Sequence, residues 1–181
     1  MDTTYIPDAA TLDLGILVGR LVVGLLIAAH GAQKLFGWFG GHGLRATGEF
    51  FVQLGFRPGR LFAAGAALGE FASGLLIAAG LFGPVGPAVL LAVMVVAAIS
   101  VHWQNGLFAT ANGVELPLLY GTGAVGLALS GPGRYSLDAV LGLRAAWTPT
   151  VIWAALVIGA VGGVVNLSLR RRAPARPPTA R

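Results

Sequence analysis

The sequence predicts an all-α integral membrane protein: a four-helix transmembrane bundle with a fifth transmembrane helix added on its C-terminal side. Three observations carry the prediction. Of the 181 residues, 56% are hydrophobic and only 10% charged, with a mean hydropathy of +0.79, whereas a water-soluble domain carries about a quarter charged residues. The apolar runs are long and continuous, unlike the alternating segments of about ten residues that build a membrane β-barrel. Breakers punctuate the runs, among them Gly40-Gly41, Pro58-Gly59 and the GPVGP stretch Gly83–Pro87. The length leaves room for four or five spans in one membrane domain and for no soluble catalytic module.

Residues 1–13, MDTTYIPDAATLD, form an acidic N-terminal segment without the basic flank of a cleavable signal peptide, so the first hydrophobic helix is expected to be retained. That first span runs from about Leu14 to Lys34 and carries Arg20, His30 and Lys34. A helix needs about 20 apolar residues to cross the hydrocarbon core, and a charge near its middle costs at least about 2.5–3.5 kcal/mol. At about 100° per residue, Lys34 lies some 40° and His30 some 80° from Arg20 around the helix, which places all three on one side. A basic stripe in a spanning helix calls for a partner.

The connection FGWFGGHGLRATGEFFVQLGFRPGR follows, and Leu44–Leu54 within it predicts a short helix lying in the interface beside Trp38, Phe39, Phe50, Phe51 and Phe56. The second span, about Leu61–Phe82, holds Glu70 near its midpoint and a small-residue face at Gly65, Gly69 and Ser73. A tight turn at Gly83–Pro87 sends the third span, about Ala88–Trp103, back antiparallel, ending in His102 and Trp103. The fourth span, about Leu116–Ser130, is short and rich in glycine. In GPGRYSLDAVLGLRAAW, Ser136 is placed to cap a short amphipathic helix. Residues 142–169 add the fifth span, about Trp147–Leu169, with a GxxxG face at Gly159 and Gly163. Residues 170–181, RRRAPARPPTAR, have the composition of a disordered basic tail.

The pI near 10.8 is no sign of a nucleic-acid partner, because the basic excess clusters behind the last hydrophobic run, where it fixes orientation and meets anionic lipid. Placing that cluster in the cytoplasm puts Lys34, Arg45, Arg57 and Arg60 there as well and leaves only Arg134 and Arg144 outside. The expected arrangement is a multi-pass protein of a bacterial plasma membrane, N-terminus outside and C-terminus cytoplasmic.

Antiparallel order brings His30, Lys34, His102 and Glu115 to one membrane face and leaves Glu70 deeper, within reach of Arg20 or His30. The candidate catalytic cluster is therefore Arg20, His30 and Glu70, and the candidate cofactor-binding residues are Lys34, Trp38, His102 and Glu115. Each has a plain reading too. Glu70 can be a structural ion pair with Arg20 or a proton carrier that hydrogen-bonds a quinone. His30 can be a proton relay, the role histidine side chains commonly take, or simply satisfied by a carbonyl. Lys34 can snorkel, and His102 can sit half wet at the interface.

No metal site is expected: the histidines show no HxxxH or ExxH spacing, and the chain has no cysteine for thiolate ligands. The same spacing rules leave no motif for a nucleotide, haem or an iron–sulfur cluster.

The blocks RLVVGLLIAAHGAQKLFGWFGGHGL, FFVQLGF, ALGEFASGLLIAAGLFGPVG, VHWQNGLF, ELPLL and GPGRYSLD, in that order, resemble the DoxX family of small bacterial membrane proteins over about Leu14–Leu141. Arg20, His30, Gly31, Lys34, Glu70, Gly74, His102, Asn105, Gly106, Glu115, Pro117 and Asp138 fall on positions of the family pattern. The resemblance implies a four-helix membrane core over residues 14–141 and a place in a quinone-linked redox or oxidative-stress system. It implies quinone as the candidate cofactor and a redox protein or a second copy of the chain as partner beside the lipid bilayer. It carries positions, not catalytic roles. The alternatives are a non-catalytic membrane scaffold or partner subunit and, below that, a small transporter, for which broken helices and an inverted repeat are the missing signs.

Overall fold

The structure, a computed structural model, describes residues 8–171. The start of the acidic segment and nearly all of the basic tail lie outside the described residues.

Helix α1 (Ala9–Phe36) begins five residues before the expected Leu14 because Asp8 caps it, its side chain accepting from the Thr11 N–H at 2.7 Å. That bond, chiefly to the Thr11 backbone N–H, holds the Asp8 carboxyl below its ordinary value. Gly37, at φ 76°, ends the helix in the left-handed conformation that glycine adopts freely. The loop then leads to α2 (Gly43–Gln53), the short helix expected over 44–54.

Helix α3 (Gly59–Ala79) stops at Gly80, φ 64°, and α4 (Val85–Ala97) starts at once. The expected turn at Gly83–Pro87 therefore sits earlier, at Gly80–Pro84. Gly86 and Pro87 already belong to the first turn of α4, where a proline forgoes no helix hydrogen bond. From Ala98 to His102 α4 widens into a π-turn, then tightens through Trp103–Asn105. Helix α5 (Glu115–Ser130) follows, then α6 (Leu137–Val140), capped by Ser136, whose Oγ accepts from Ala139. The last described helix is α7 (Pro149–Ser168), capped by Thr148.

Among the described residues four stretches are long and apolar enough to cross a membrane: Ala9–Phe36, Gly59–Ala79, Val85–Asn105 and Pro149–Ser168. Helix α5, at 16 residues, rises about 24 Å and completes the bundle, shorter than each of these four stretches.

Helices α1 and α3 lie antiparallel in backbone contact. A Cβ on Gly24 would stand 2.6 Å from the Gly74 carbonyl oxygen, and one on Gly31 2.7 Å from the Ala67 carbonyl oxygen. Neither neighbour is a side chain that could move aside. The small-residue face expected at Gly65, Gly69 and Ser73 does not make this contact: Gly69 meets Val89 and Val93 of α4, and Gly65 opens onto empty space. Those positions lie about 90° or more around α3 from the Ala67–Gly74 ridge that α1 covers. Helix α7 packs on α4 through Gly159 against Ala88 and Gly163 against Ala92 and Val95. Ile27, Ile77, Leu90, Met94 and Ala124 form the central core, and Ala128, Ile152 and Leu156 a second one under α7. Outward side chains such as Ile158, 70% exposed, stay apolar, as lipid requires.

Gly74→Val should lower stability by about 1–3 kcal/mol or more, as overpacking against backbone does. Gly65→Val, facing space, should cost far less. Thermal unfolding of both variants in detergent, followed by circular dichroism, measures the difference.

Candidate functional site

The α1–α3 register sets which polar groups meet. Gly24 faces Gly74 and Ala78, and Gly31 faces Ala67 and Phe71, so residue numbers at one level sum to about 100. Glu70 lies near the level of residue 30, and Lys34 reaches it within one turn. Arg20 lies ten residues further along, about 15 Å away, and cannot pair with it. The expected Arg20–Glu70 pair is thus corrected: Glu70 Oε1 accepts from the Lys34 ammonium. Glu70 is 2% exposed, while a third of the Lys34 side chain remains accessible. Glu70 Oε2 is buried with no hydrogen-bond partner among the described residues.

The pair lines a cavity of about 510 Å³. Helix α4 forms its floor, α3 and α7 its sides, and α2 lies over it with Thr47, Phe50 and Phe51. The walls are mostly apolar, with Phe62, Val93 and Val96 prominent. The other polar lining groups are Ser100, His102 and Asn166. Ser100 donates to the Val96 carbonyl at 2.6 Å. It lies, like His102, in the π-turn, a local widening that recurs at functional sites.

Of the seven candidate residues, then, Lys34, Glu70 and His102 share this cavity. His30 does not line it and instead meets the ring of Tyr120 on α5 edge-on, with centroids 5.9 Å apart. Trp38 stands outside it, half exposed and tilted on Phe36 at 4.9 Å. Glu115 accepts from the Ala109 N–H at 2.7 Å and His102 Nδ1 lies 2.8 Å from the Asn112 carbonyl oxygen. Two members of the expected quartet thus hold the loop between α4 and α5. Thr47, Ser100 and Asn166 escaped the sequence reading. The available signal was small polar side chains set in or beside apolar runs, which favour helix interfaces and cavities.

Arg20 belongs to the opposite end of the bundle. Its guanidinium donates to the Pro132 carbonyl and, at 2.6 Å, to that of Tyr135. Beside it Asp138, fully buried, accepts from the Phe82 and Gly83 N–H groups at 2.9 and 2.7 Å and from the Trp147 indole N–H at 2.7 Å. Its own N–H donates to the Gly80 carbonyl at 3.1 Å. A single carboxylate ties the α3–α4 turn to the entry of α7. Among the described residues no three His, Asp or Glu side chains gather as a metal would need.

The DoxX family model matches residues 15–103, from α1 to the end of the α4 stretch, taking in Lys34, Glu70 and His102. No curated protein and no solved structure matches the chain. Helix α7, which supplies one wall of the cavity, lies beyond the matched residues. With its all-helical architecture and four membrane-length apolar stretches, the chain belongs to the DoxX family of membrane proteins.

Proposed function

We propose that this protein is a membrane component of a quinone-linked redox or oxidative-stress system and that its cavity holds the quinone head group. The observation that carries the reading is the buried Lys34–Glu70 pair set in the wall of an apolar cavity. A volume of about 510 Å³ falls in the range of small-molecule sites, which are apolar with a few convergent polar groups. The donor set fits the group. Lys34 and Asn166 carry N–H donors suited to ring carbonyls, and the unpartnered Glu70 Oε2 can accept from the hydroxyl of the reduced form. When bound, the quinone would supply two-electron, two-proton redox chemistry. The chain itself would orient the ring between aromatic walls, exclude water with α2 and hold a proton at Glu70. The same reading places the protein in a bacterial plasma membrane with the Lys34 end and the C-terminus cytoplasmic, following the distribution of lysine and arginine.

The test is a titration of the full chain in lipid nanodiscs with a decyl-tailed benzoquinone. Saturable binding that weakens at least tenfold in Lys34→Met, with unfolding still cooperative, is the expected result. No saturable binding, or an affinity unchanged from that of the unsubstituted chain in both Lys34→Met and Glu70→Gln, would overturn the reading. The second reading, a non-catalytic scaffold, is favoured by one observation: the ion pair bridges α1 and α3 and so can serve structure alone.

A further inference from the structure

A second cavity, of about 340 Å³, lies between the end of α1, the loop 37–43 and α2. Lys34, Thr47 and Phe50 line both cavities. The two have different surroundings. The rim of the larger one includes Leu61 and Gly162, exposed on the outer sides of α3 and α7, so it opens toward lipid. The smaller one is bordered by Gln33, by the exposed His42 and by the backbone of Gly40 and Gly41. It sits against the last turn of α1, at the charged end of the bundle, where the membrane-length stretch Ala9–Phe36 ends. At about 30 Å³ per molecule it has room for roughly ten waters.

We propose that the smaller cavity is an aqueous vestibule to the Lys34–Glu70 pair, separate from the lipid-side mouth, and that protons exchange with the pair through it. Lys34 is the shared wall: its ammonium meets Glu70 while part of its side chain remains accessible. A proton taken up or released by Glu70 passes between the carboxylate and vestibule water beside Lys34, with no net change in the protein once it has passed. The apolar cavity stays dry. The titratable groups around the route are Lys34 from α1, His42 from the loop, Glu70 from α3 and His102 from α4, with Tyr120 of α5, which feels the Glu70 charge, and His30 against its ring on the far side of the carboxylate. Arg45 and Glu49 pair with each other, well exposed on α2.

The proposal rests on the quinone reading for what occupies the larger cavity, but its test does not. The chain has no cysteine, so single cysteines can be placed at will in the full chain in sealed proteoliposomes. The probe is a membrane-impermeant anionic methanethiosulfonate. Thr47→Cys should react within about tenfold of the exposed control Arg45→Cys. Adding Ala46→Trp, which fills the vestibule, should slow Thr47→Cys at least tenfold and leave Arg45→Cys unchanged. Gly162→Cys on the lipid-side rim should be inert to this probe and react with a lipid-partitioning maleimide. An inert Thr47→Cys beside a reactive Arg45→Cys would overturn the vestibule, and so would labelling indifferent to Ala46→Trp. Absence of quinone binding with Thr47→Cys labelled as expected would sink the quinone reading alone.

Discussion

Asp138→Ala should be among the most damaging single substitutions in the chain, with an expected loss of about 3–5 kcal/mol, the range for breaking a buried charged network. The alanine would leave the N–H groups of Phe82 and Gly83 and the indole N–H of Trp147 without their acceptor. A fully buried orphaned donor costs about 1–3 kcal/mol, and these part-buried ones somewhat less each. Gly83 sits under the Trp147 ring, where a Cβ would come within 2.6 Å of it, so indole and turn should loosen together. Asp138→Asn, which keeps an acceptor oxygen but turns an amide toward a donor, should fall between. Unfolding in a denaturing-detergent titration gives the energies, and tryptophan fluorescence reports the indole. A loss below about 1 kcal/mol for Asp138→Ala would show that the clasp does not hold this end of the bundle.

The second large effect is asymmetric. Lys34→Met should destabilise by about 3–5 kcal/mol, because it leaves the Glu70 carboxylate buried and uncompensated. Glu70→Gln should cost less, since the partly exposed Lys34 can carry its charge to the interface. Lys34→Met with Glu70→Leu should regain most of the stability, as replacing a buried ion pair with apolar groups of similar volume often does. The double variant also separates the two functional readings. A scaffold would keep its cellular phenotype once stability returns, whereas a quinone site would stay silent in a folded protein. Equilibrium unfolding beside a quinone titration decides.

Helices were legible because lipid demands long apolar runs. The breakers Gly40-Gly41 and Pro58-Gly59 do fall between helices or at a helix start, whereas the turn expected at Gly83–Pro87 sits at Gly80–Pro84 because Gly86 and Pro87 fit the first turn of α4. The start of α1 was misjudged because hydropathy reports apolar residues, whereas the helix start is set by the Asp8 cap. Helix order placed His30, Lys34, His102 and Glu115 at one end of the bundle, but direction alone does not fix axial register. Register here is set by Gly24, Gly31 and Gly74, which let α1 and α3 approach at one offset only, and that offset gives Glu70 to Lys34 and not to Arg20. Asp138 stood out only as a family position, because its partners are backbone N–H groups that no side-chain pattern reveals. The cavity was not legible at all: it is the space left where α3 and α7 flank α4 without closing on each other.

That arrangement has a consequence for biogenesis. Chains are synthesised from the N-terminal end at about 5–20 residues per second, and earlier segments settle first. Some 70 residues separate the end of α3 from the start of α7, so α7 emerges on the order of several seconds later. In that interval α1 and α3 can already be joined by the Lys34–Glu70 pair, with α4 packed beside them and one side of the future cavity bare to lipid. The nascent bundle therefore carries an ion pair before it carries a pocket. Lipid faces that flank until α7 arrives and covers it.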